Sequence, residues 1–196
     1  MYTVFEILGT VAFAISGAMV AIEKKMDMLG VVILGVTTAV GGGIIRDLLV
    51  GVTPPKSLNN PLYALIAIGV SLIIFLPPIR KRVDVNNMVL IAIDAIGLGT
   101  FTVIGTESGL PFDNVFLQVF LGVLTGVGGG VLRDLFANEK PMIFVRHFYA
   151  VASFLGAVLC VSLYPLQKNA AMIAGIALVV VLRLCAAKFR WHLPKA

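Results

Sequence analysis

Two segments of this chain, LGVTTAVGGGIIRDL at residues 34–48 and LGVLTGVGGGVLRDL at residues 121–135, are nearly the same sequence. Eleven of their fifteen positions are identical at a fixed offset of 87, including three consecutive glycines, an arginine and an aspartate. The chain therefore contains an internal repeat. Each copy places a glycine triplet and a charge pair inside an apolar segment, where both are energetically costly.

The composition around these segments is that of an integral membrane protein. Of the 196 residues, 59% are hydrophobic and 13% are charged, and the mean hydropathy is +1.03. Apolar stretches of about 20 residues, enough to cross a bilayer, recur along the whole chain. We predict an all-α membrane protein formed by a single transmembrane domain over residues 1–196. Its seven predicted transmembrane helices cover residues 3–22, 28–49, 61–79, 88–106, 114–136, 147–164 and 169–187.

The basic residues predict the orientation of these spans, because cytoplasmic loops are enriched in lysine and arginine. Most of them follow spans 1, 3, 5 and 7 and so fall on one side: Lys24, Lys25, Arg80, Lys81, Arg82, Lys140, Arg146, Lys188, Arg190 and Lys195. The opposite loops hold little beyond Lys56 and Lys168. We therefore expect a multi-pass protein of the inner (plasma) membrane with its N-terminus outside and its C-terminus in the cytoplasm.

The repeat extends beyond the glycine segments. Glu6, Gly9, Phe13 and Gly17 of span 1 match Asp94, Gly97, Phe101 and Gly105 of span 4 at an offset of 88. Repeat 1 covers about residues 1–86 and repeat 2 about 87–166, and a seventh helix at about 167–190 lies outside the duplication. Because each repeat has three spans, the second copy must enter the membrane inverted. The fold is therefore predicted to be an inverted 3+3 repeat plus one helix.

The glycine triplets can be interpreted in two ways. Gly41, Gly42 and Gly43 in one repeat, and Gly128, Gly129 and Gly130 in the other, permit a kink or an unwound turn that lines a pathway. Alternatively, they allow close helix packing, as small residues do in membranes. For a triplet present twice at the same depth we favour the first interpretation. A helical spacing of four aligns a hydroxyl and a cation with each triplet: Thr38 with Arg46, and Thr125 with Arg133.

Four acidic residues accompany these arginines. Asp47 and Asp134 directly follow them, whereas Asp94 lies deep in span 4 and its counterpart Glu6 lies near the end of span 1. Ionisable groups at such positions face a bundle interior or an aqueous cavity. Asp94 is expected either to form an ion pair with one of the arginines or to take a direct part in permeation. Arg183, near the end of span 7, is expected to extend to the membrane surface.

The sequence contains no motif of an enzyme. It has no nucleophile elbow, no phosphate-binding loop and no cluster of histidine or cysteine with metal-ligand spacing. No catalytic residue, cofactor or metal site is expected. The net charge of +5 follows from the distribution of basic residues in the loops, so no nucleic-acid partner is needed. His147 is interpreted as a residue at the membrane boundary.

With two GGGxxRDL motifs, a 3+3+1 arrangement and about 200 residues, the chain resembles the prokaryotic members of the trimeric intracellular cation (TRIC) channel family. This family has also been linked to glycine transport. The resemblance implies a homotrimer in membrane lipid, with one pore in each protomer and helices 2 and 5 kinked at the glycine triplets. It implies permeation of monovalent cations, chiefly K⁺ but also Na⁺. The residues of the two motifs, Arg46, Asp47, Arg133 and Asp134, would organise the pore.

Two functions remain open from the residues alone. In a channel, carbonyls freed at the glycines and the carboxylates of Asp47, Asp94 and Asp134 would stabilise a partly dehydrated cation. Each arginine would be paired to a carboxylate, and its movement would gate the pore. In a secondary transporter for a small amino acid such as glycine, Arg46 or Arg133 would hold the substrate carboxylate and Asp94 its ammonium group. A purely structural scaffold explains the apolar spans but not the charges in both copies.

Overall fold

The computed structural model describes residues 2–80, 87–145 and 148–191. Within these ranges the chain is all-helical, with ten α-helices and one 3₁₀ turn at Leu110–Phe112. Part of the predicted orientation rests on residues outside these ranges, namely Lys81, Arg82, Arg146 and Lys195. The predicted boundary residue His147 also lies outside them. The helices are α1 Tyr2–Glu23, α2 Met28–Leu49, α3 Lys56–Asn59, α4 Leu62–Phe75, α5 Pro77–Arg80, α6 Asn87–Ser108, α7 Val115–Phe136, α8 Met142–Val145, α9 Tyr149–Leu163 and α10 Lys168–Lys188.

Five helices in the described residues are long and apolar enough to cross a membrane: α1, α2, α6 with its 3₁₀ extension, α7 and α10. The predicted third and sixth spans are shorter in the structure. α4 has 14 residues and ends before Pro77, which lacks the N–H that a continuing helix would use. α9 has 15 residues and begins after Phe148, which has a left-handed backbone with φ of 65°. Both shorter helices are apolar.

The two glycine-containing helices begin in the same way. The Asp27 side chain accepts a hydrogen bond of 2.8 Å from the amide of Gly30, and the Asn114 side chain accepts one of 3.1 Å from the amide of Leu117. These N-caps satisfy amides that the first turn of a helix leaves without partners. Each helix then runs for 22 residues, so that α2 and α7 have equal length.

Of the kink or unwound turn predicted at the glycine triplets, the unwound turn is absent. Residues 41–43 and 128–130 are helical, and both helices continue without interruption to Leu49 and Phe136. No backbone carbonyls are therefore freed at the triplets, contrary to the sequence interpretation. The glycines serve close packing instead: α2 and α7 cross at the triplets, where the absence of a Cβ lets the two backbones touch. A Cβ built on Gly42 would lie 2.5 Å from the carbonyl oxygen of Thr125, and one on Gly129 would collide with that of Thr38.

These contacts show that α2 and α7 cross antiparallel near their midpoints. Residues 38 and 42 of α2 face residues 129 and 125 of α7, in opposite chain directions. The pair α1 and α6 crosses in the same manner. Gly97 lies against the ring of Phe13, and Gly9 lies against the ring of Phe101, so that the two ring centroids are 5.2 Å apart. Backbone and aromatic packing at these crossings forms the centre of the protein.

The last long helix, α10, packs against α6 and α9 on one side of this centre. Small residues bring the backbones together there. A Cβ on Gly99 would lie 3.1 Å from the carbonyl oxygen of Ile176, and one on Gly156 would lie 3.1 Å from that of Gly175. As a result, the buried face of α10 includes Val179 and, close to its end, Arg183.

Candidate functional site

Two sets of polar side chains lie buried or half-buried beside the α2–α7 crossing. We call Glu6, Arg46, Asp47 and Tyr63 the first polar site, and Asp94, Arg133, Asp134 and Tyr149 the second polar site. The members of the two sites correspond in sequence at offsets of 86 to 88. Because α2 and α7 are antiparallel, the charge pair at the end of each helix lies on the opposite side of the crossing. The arginines and aspartates of both GGGxxRDL motifs are buried.

The aspartate of each motif links its arginine to the following short helix. Arg46 Nε donates to Asp47 Oδ1 at 2.9 Å, while Asp47 Oδ2 accepts from the amide of Lys56 at 2.8 Å. In the second copy, Arg133 Nε donates to Asp134 Oδ1 at 2.9 Å, and Asp134 Oδ2 accepts from the amide of Met142 at 2.8 Å. Both oxygens of each aspartate are therefore engaged. These hydrogen bonds connect each arginine to the first residue of the short helix that follows α2 or α7.

In the second polar site, Arg133 makes further contacts with side chains of α1 and α6. Its Nη1 donates to Ser16 Oγ at 2.5 Å and also contacts Asp94 Oδ1, and Ser16 Oγ donates to the same Asp94 oxygen at 3.3 Å. Arg133 and Asp94 are both 0% exposed. Asp94 thus forms the ion pair that was one of its two predicted roles. The other oxygen, Asp94 Oδ2, has no hydrogen-bond partner among the described residues.

The first polar site is arranged differently. Tyr63 Oη donates to Glu6 Oε2, and Arg46 forms its ion pair in the described structure with Asp47 at 2.8 Å. Beside them lies a cavity of about 40 Å³ that Thr10 and Gly43 also line. Since a buried water needs roughly 10–15 Å³ of such volume, the cavity has room for about three water molecules. The prediction that each arginine of the motifs is paired to a carboxylate is confirmed in both sites.

The two threonines that are aligned with the glycine triplets lie at the crossing itself. Thr38 and Thr125 are buried, and their hydroxyls donate at 2.6 Å to the carbonyl oxygens of Leu34 and Leu121 in their own helices. Gly17 and Gly105 make room for them, because a Cβ at either position would lie within about 2.6 Å of the hydroxyl. Because each hydroxyl acts as a donor in these bonds, both of its lone pairs remain available to accept from another partner.

Wider cavities open at both ends of the α2–α7 pair. The one beside Asp47 has a volume of about 460 Å³, and an ion pair between Lys168 and Glu107 lies at its wall. The one beside Asp134 has a volume of about 510 Å³, and an ion pair between Lys24 and Glu139 lies at its wall. The hydrogen bond to Glu139 raises the pKa of Lys24 above its ordinary value. The two polar sites are therefore reached from opposite ends.

Three residues that take part in the two sites were not predicted from the sequence: Tyr63, Tyr149 and Ser16. The signal for the tyrosines was present, because Tyr63-Ala64 and Tyr149-Ala150 repeat at an offset of 86. Ser16 carries no comparable signal, since its match at an offset of 88 is Ile104.

The expectation that Arg183 extends to the membrane surface is wrong. Arg183 is 3% exposed, and its guanidinium carbon lies 4.6 Å from the centre of the Tyr149 ring. Within the described part of the chain, no group of three or more histidine, cysteine or acidic residues has a geometry that would hold a metal ion.

Comparison with known proteins gives four consistent matches. A family model described as "Glycine transporter" matches residues 3–77 and again residues 91–165. The UPF0126 inner membrane protein YadS of Escherichia coli (strain K12) is 36% identical over 194 residues, which cover 96% of this chain and 91% of that protein. Among solved structures, the trimeric intracellular cation channel orthologue from Rhodobacter sphaeroides has a TM-score of 0.91 at 34% identity, covering 97% of this chain and 98% of its own. A structure described as the basis for conductance through TRIC cation channels has a TM-score of 0.88 at 39% identity, covering 100% and 97%.

Proposed function

Because the chain belongs to the UPF0126 family of multi-pass membrane proteins and has the fold of prokaryotic TRIC channels, we propose that it is a monovalent cation channel. Its permeant ions are K⁺, chiefly, and Na⁺. The protein works as a homotrimer in membrane lipid, with a separate pore in each protomer. Relatives described as cation channels and as a trimeric channel orthologue support this proposal.

The proposed topology is seven spans in an inverted 3+3 repeat plus one helix, with repeat 1 over about residues 1–86, repeat 2 over about 87–166 and α10 as the seventh span. The N-terminus is outside and the C-terminus is in the cytoplasm. Three observations support the inversion: the family model matches twice at an offset of 88, α1 crosses α6 antiparallel, and α2 crosses α7 antiparallel. The apolar helices α4 and α9 serve as the third and sixth spans within one transmembrane domain.

The proposed pore follows α2 and α7 from one end cavity to the other. The observation that carries this proposal is that both buried arginines are neutralised by carboxylates, because an unpaired cation on the wall would repel K⁺. Gly41, Gly42, Gly43, Gly128, Gly129 and Gly130, with Thr38 and Thr125, form the narrow centre. Since Asp47 and Asp134 use both oxygens to hold the arginines and the following amides, Glu6 and Asp94 are the acids proposed to face the cation.

We also propose that Arg133 gates the pore. Its fully buried side chain bridges α7 to Ser16 of α1 and Asp94 of α6, and a bridge between three helices blocks passage along them. Arg46 in the first polar site has a cavity beside it and is bound to Asp47 on its own helix. The second site is therefore the proposed closed end of the pathway in this conformation.

The test is single-channel recording of purified protein in planar bilayers with a K⁺ gradient. Wild-type protein is expected to give discrete currents that reverse near the K⁺ equilibrium potential, and Arg133→Ala to raise the open probability. Arg80→Ala is the matched control, since Arg80 is outside both polar sites and lies over the ring of Phe75. A wild-type protein without unitary currents would exclude the channel. Unchanged gating in Arg133→Ala would exclude the proposed gate.

A glycine carrier is the second candidate, and one observation favours it. Glu6 and Arg46, which have opposite charges, line the same small cavity, as a site for the two ends of a zwitterion would require. Vesicles containing the protein would then take up radiolabelled glycine with saturation and without unitary currents. Replacing Glu6 by glutamine would abolish this uptake. Discrete picoampere currents would instead exclude a carrier, because alternating access is too slow to produce them.

A further inference from the structure

The last long helix, α10, places a cation beside the second polar site. Arg183 lies near the end of α10 and is 3% exposed, and its guanidinium group stacks over the ring of Tyr149 at 4.6 Å. Cation–π contacts are strongest where both partners are removed from water, as they are here. Since α10 lies outside the repeated segments, the first polar site has no equivalent of this arginine from the duplication.

The position of the tyrosine differs between the two sites. Tyr63 donates its hydroxyl to Glu6 in the first site. Tyr149 is 2% exposed, and its hydroxyl has no hydrogen-bond partner among the described residues. That hydroxyl lies against α7, where a Cβ on Gly130 would be 2.6 Å away from it. The corresponding acid, Asp94, binds Arg133 and Ser16 in place of the tyrosine.

Arg183 also adds a positive charge beside the second polar site. The site itself holds Arg133 in ion pairs with Asp94 and Asp134, and the Arg183 guanidinium lies over the adjoining Tyr149 ring. The formal charges of these two arginines and two aspartates sum to zero, whereas the three that belong to the second polar site alone sum to −1. A buried site with a net charge of −1 attracts a cation, and a neutral one does not.

We propose that Arg183 is a positioning residue of the second polar site. By holding Tyr149 against α7, it keeps the tyrosine hydroxyl away from Asp94 and leaves this carboxylate to Arg133. It also cancels the remaining negative charge. Both effects favour the closed arrangement of Arg133, and so this proposal rests on the channel function proposed above. Without Arg183, Tyr149 is free to donate to Asp94, as Tyr63 does to Glu6.

The test combines Arg183→Gln with Tyr149→Phe in planar bilayer recordings. Arg183→Gln is expected to raise the open probability about fivefold to thirtyfold, the size that corresponds to loss of a desolvated cation–π contact. In a Tyr149→Phe background the same substitution should have at least threefold less effect, because phenylalanine has no hydroxyl to donate to Asp94. Arg183→Lys should restore most of the wild-type gating. Lys188→Gln, an exposed position at the end of the same helix, is the control and should leave gating unchanged.

The outcomes separate this proposal from the channel function. If the wild-type protein conducts and Arg183→Gln gates normally, the positioning role is overturned while the channel stands. An equal effect of Arg183→Gln with and without the Tyr149 hydroxyl also overturns it, since a merely structural role would not depend on that hydroxyl. If Arg183→Gln does not fold, as judged by gel filtration and thermal melting, Arg183→Met replaces it under the same criteria, and Arg183→Lys remains the conservative variant expected to gate as the wild type.

Discussion

Replacing Asp94 by asparagine removes one carboxylate from the fully buried Arg133 while keeping the size of the side chain. The lost interaction is a charged hydrogen bond, which contributes about 1.5–3 kcal/mol, and removing a partner from a buried ion pair costs about 3–5 kcal/mol. Arg133 keeps Asp134, whose Oδ1 lies 2.9 Å from Nε and 2.8 Å from Nη2. We therefore expect a loss of about 2–3 kcal/mol in the free energy of unfolding.

The internal duplication supplies a matched control for this substitution. Glu6→Gln changes the corresponding acid, which is half-buried and accepts its hydrogen bond from the neutral hydroxyl of Tyr63. An amide oxygen can accept the same bond, so the expected loss is about 0.5–1 kcal/mol. Both variants are measured by denaturant titration in mixed micelles of mild detergent and dodecyl sulfate. If Asp94→Asn costs no more than Glu6→Gln, the buried ion pair is not a major source of stability and the reasoning fails.

Two further predictions follow from packing and charge. Gly42→Ala is expected to lower the free energy of unfolding by about 2 kcal/mol or more, because its Cβ meets a facing backbone oxygen at 2.5 Å. Gly43→Ala, whose nearest neighbour is the Arg46 guanidinium at 3.8 Å, should be neutral or stabilising by up to about 1 kcal/mol, and equal losses at both positions would contradict the packing interpretation. The ion pair of Lys24 with Glu139 should be intact at neutral pH and be lost only as the pH rises above the raised pKa of Lys24. A ¹⁵N titration of the lysine side chain is expected to show this midpoint above the ordinary value, and a midpoint at or below it would exclude the hydrogen bond.

Much of this architecture is predictable from the repeated segments. The offset of 88 matches Phe13 with Phe101 and Gly9 with Gly97, and in the structure each phenylalanine contacts the glycine of the other repeat. The pairing of both motif arginines with carboxylates also follows from sequence, because an unpaired charge at that depth is too costly.

Two predictions from sequence were wrong because the outcome depends on interactions with a neighbouring helix. Three consecutive glycines reduce the stability of an isolated helix by about 3 kcal/mol, from which an unwound turn was expected. In the folded protein this cost is offset by the backbone contact that Gly42 and Gly129 permit, which no local rule contains. The burial of Arg183 likewise depends on Tyr149, which belongs to another helix.

The α2–α7 crossing has a reciprocal form: Gly42 meets the carbonyl of Thr125, and Gly129 meets the carbonyl of Thr38. Contacts in which each partner offers the same surface to the other define an isologous interface, the kind found between the subunits of two-fold symmetric dimers. The α2–α7 interface inside this single chain is thus self-complementary. A separate three-helix unit with these glycines would have the surface needed to pair with an oppositely oriented copy of itself. The covalent connection keeps the two halves close together, whereas the contacts of Gly42 and Gly129 determine how their surfaces fit.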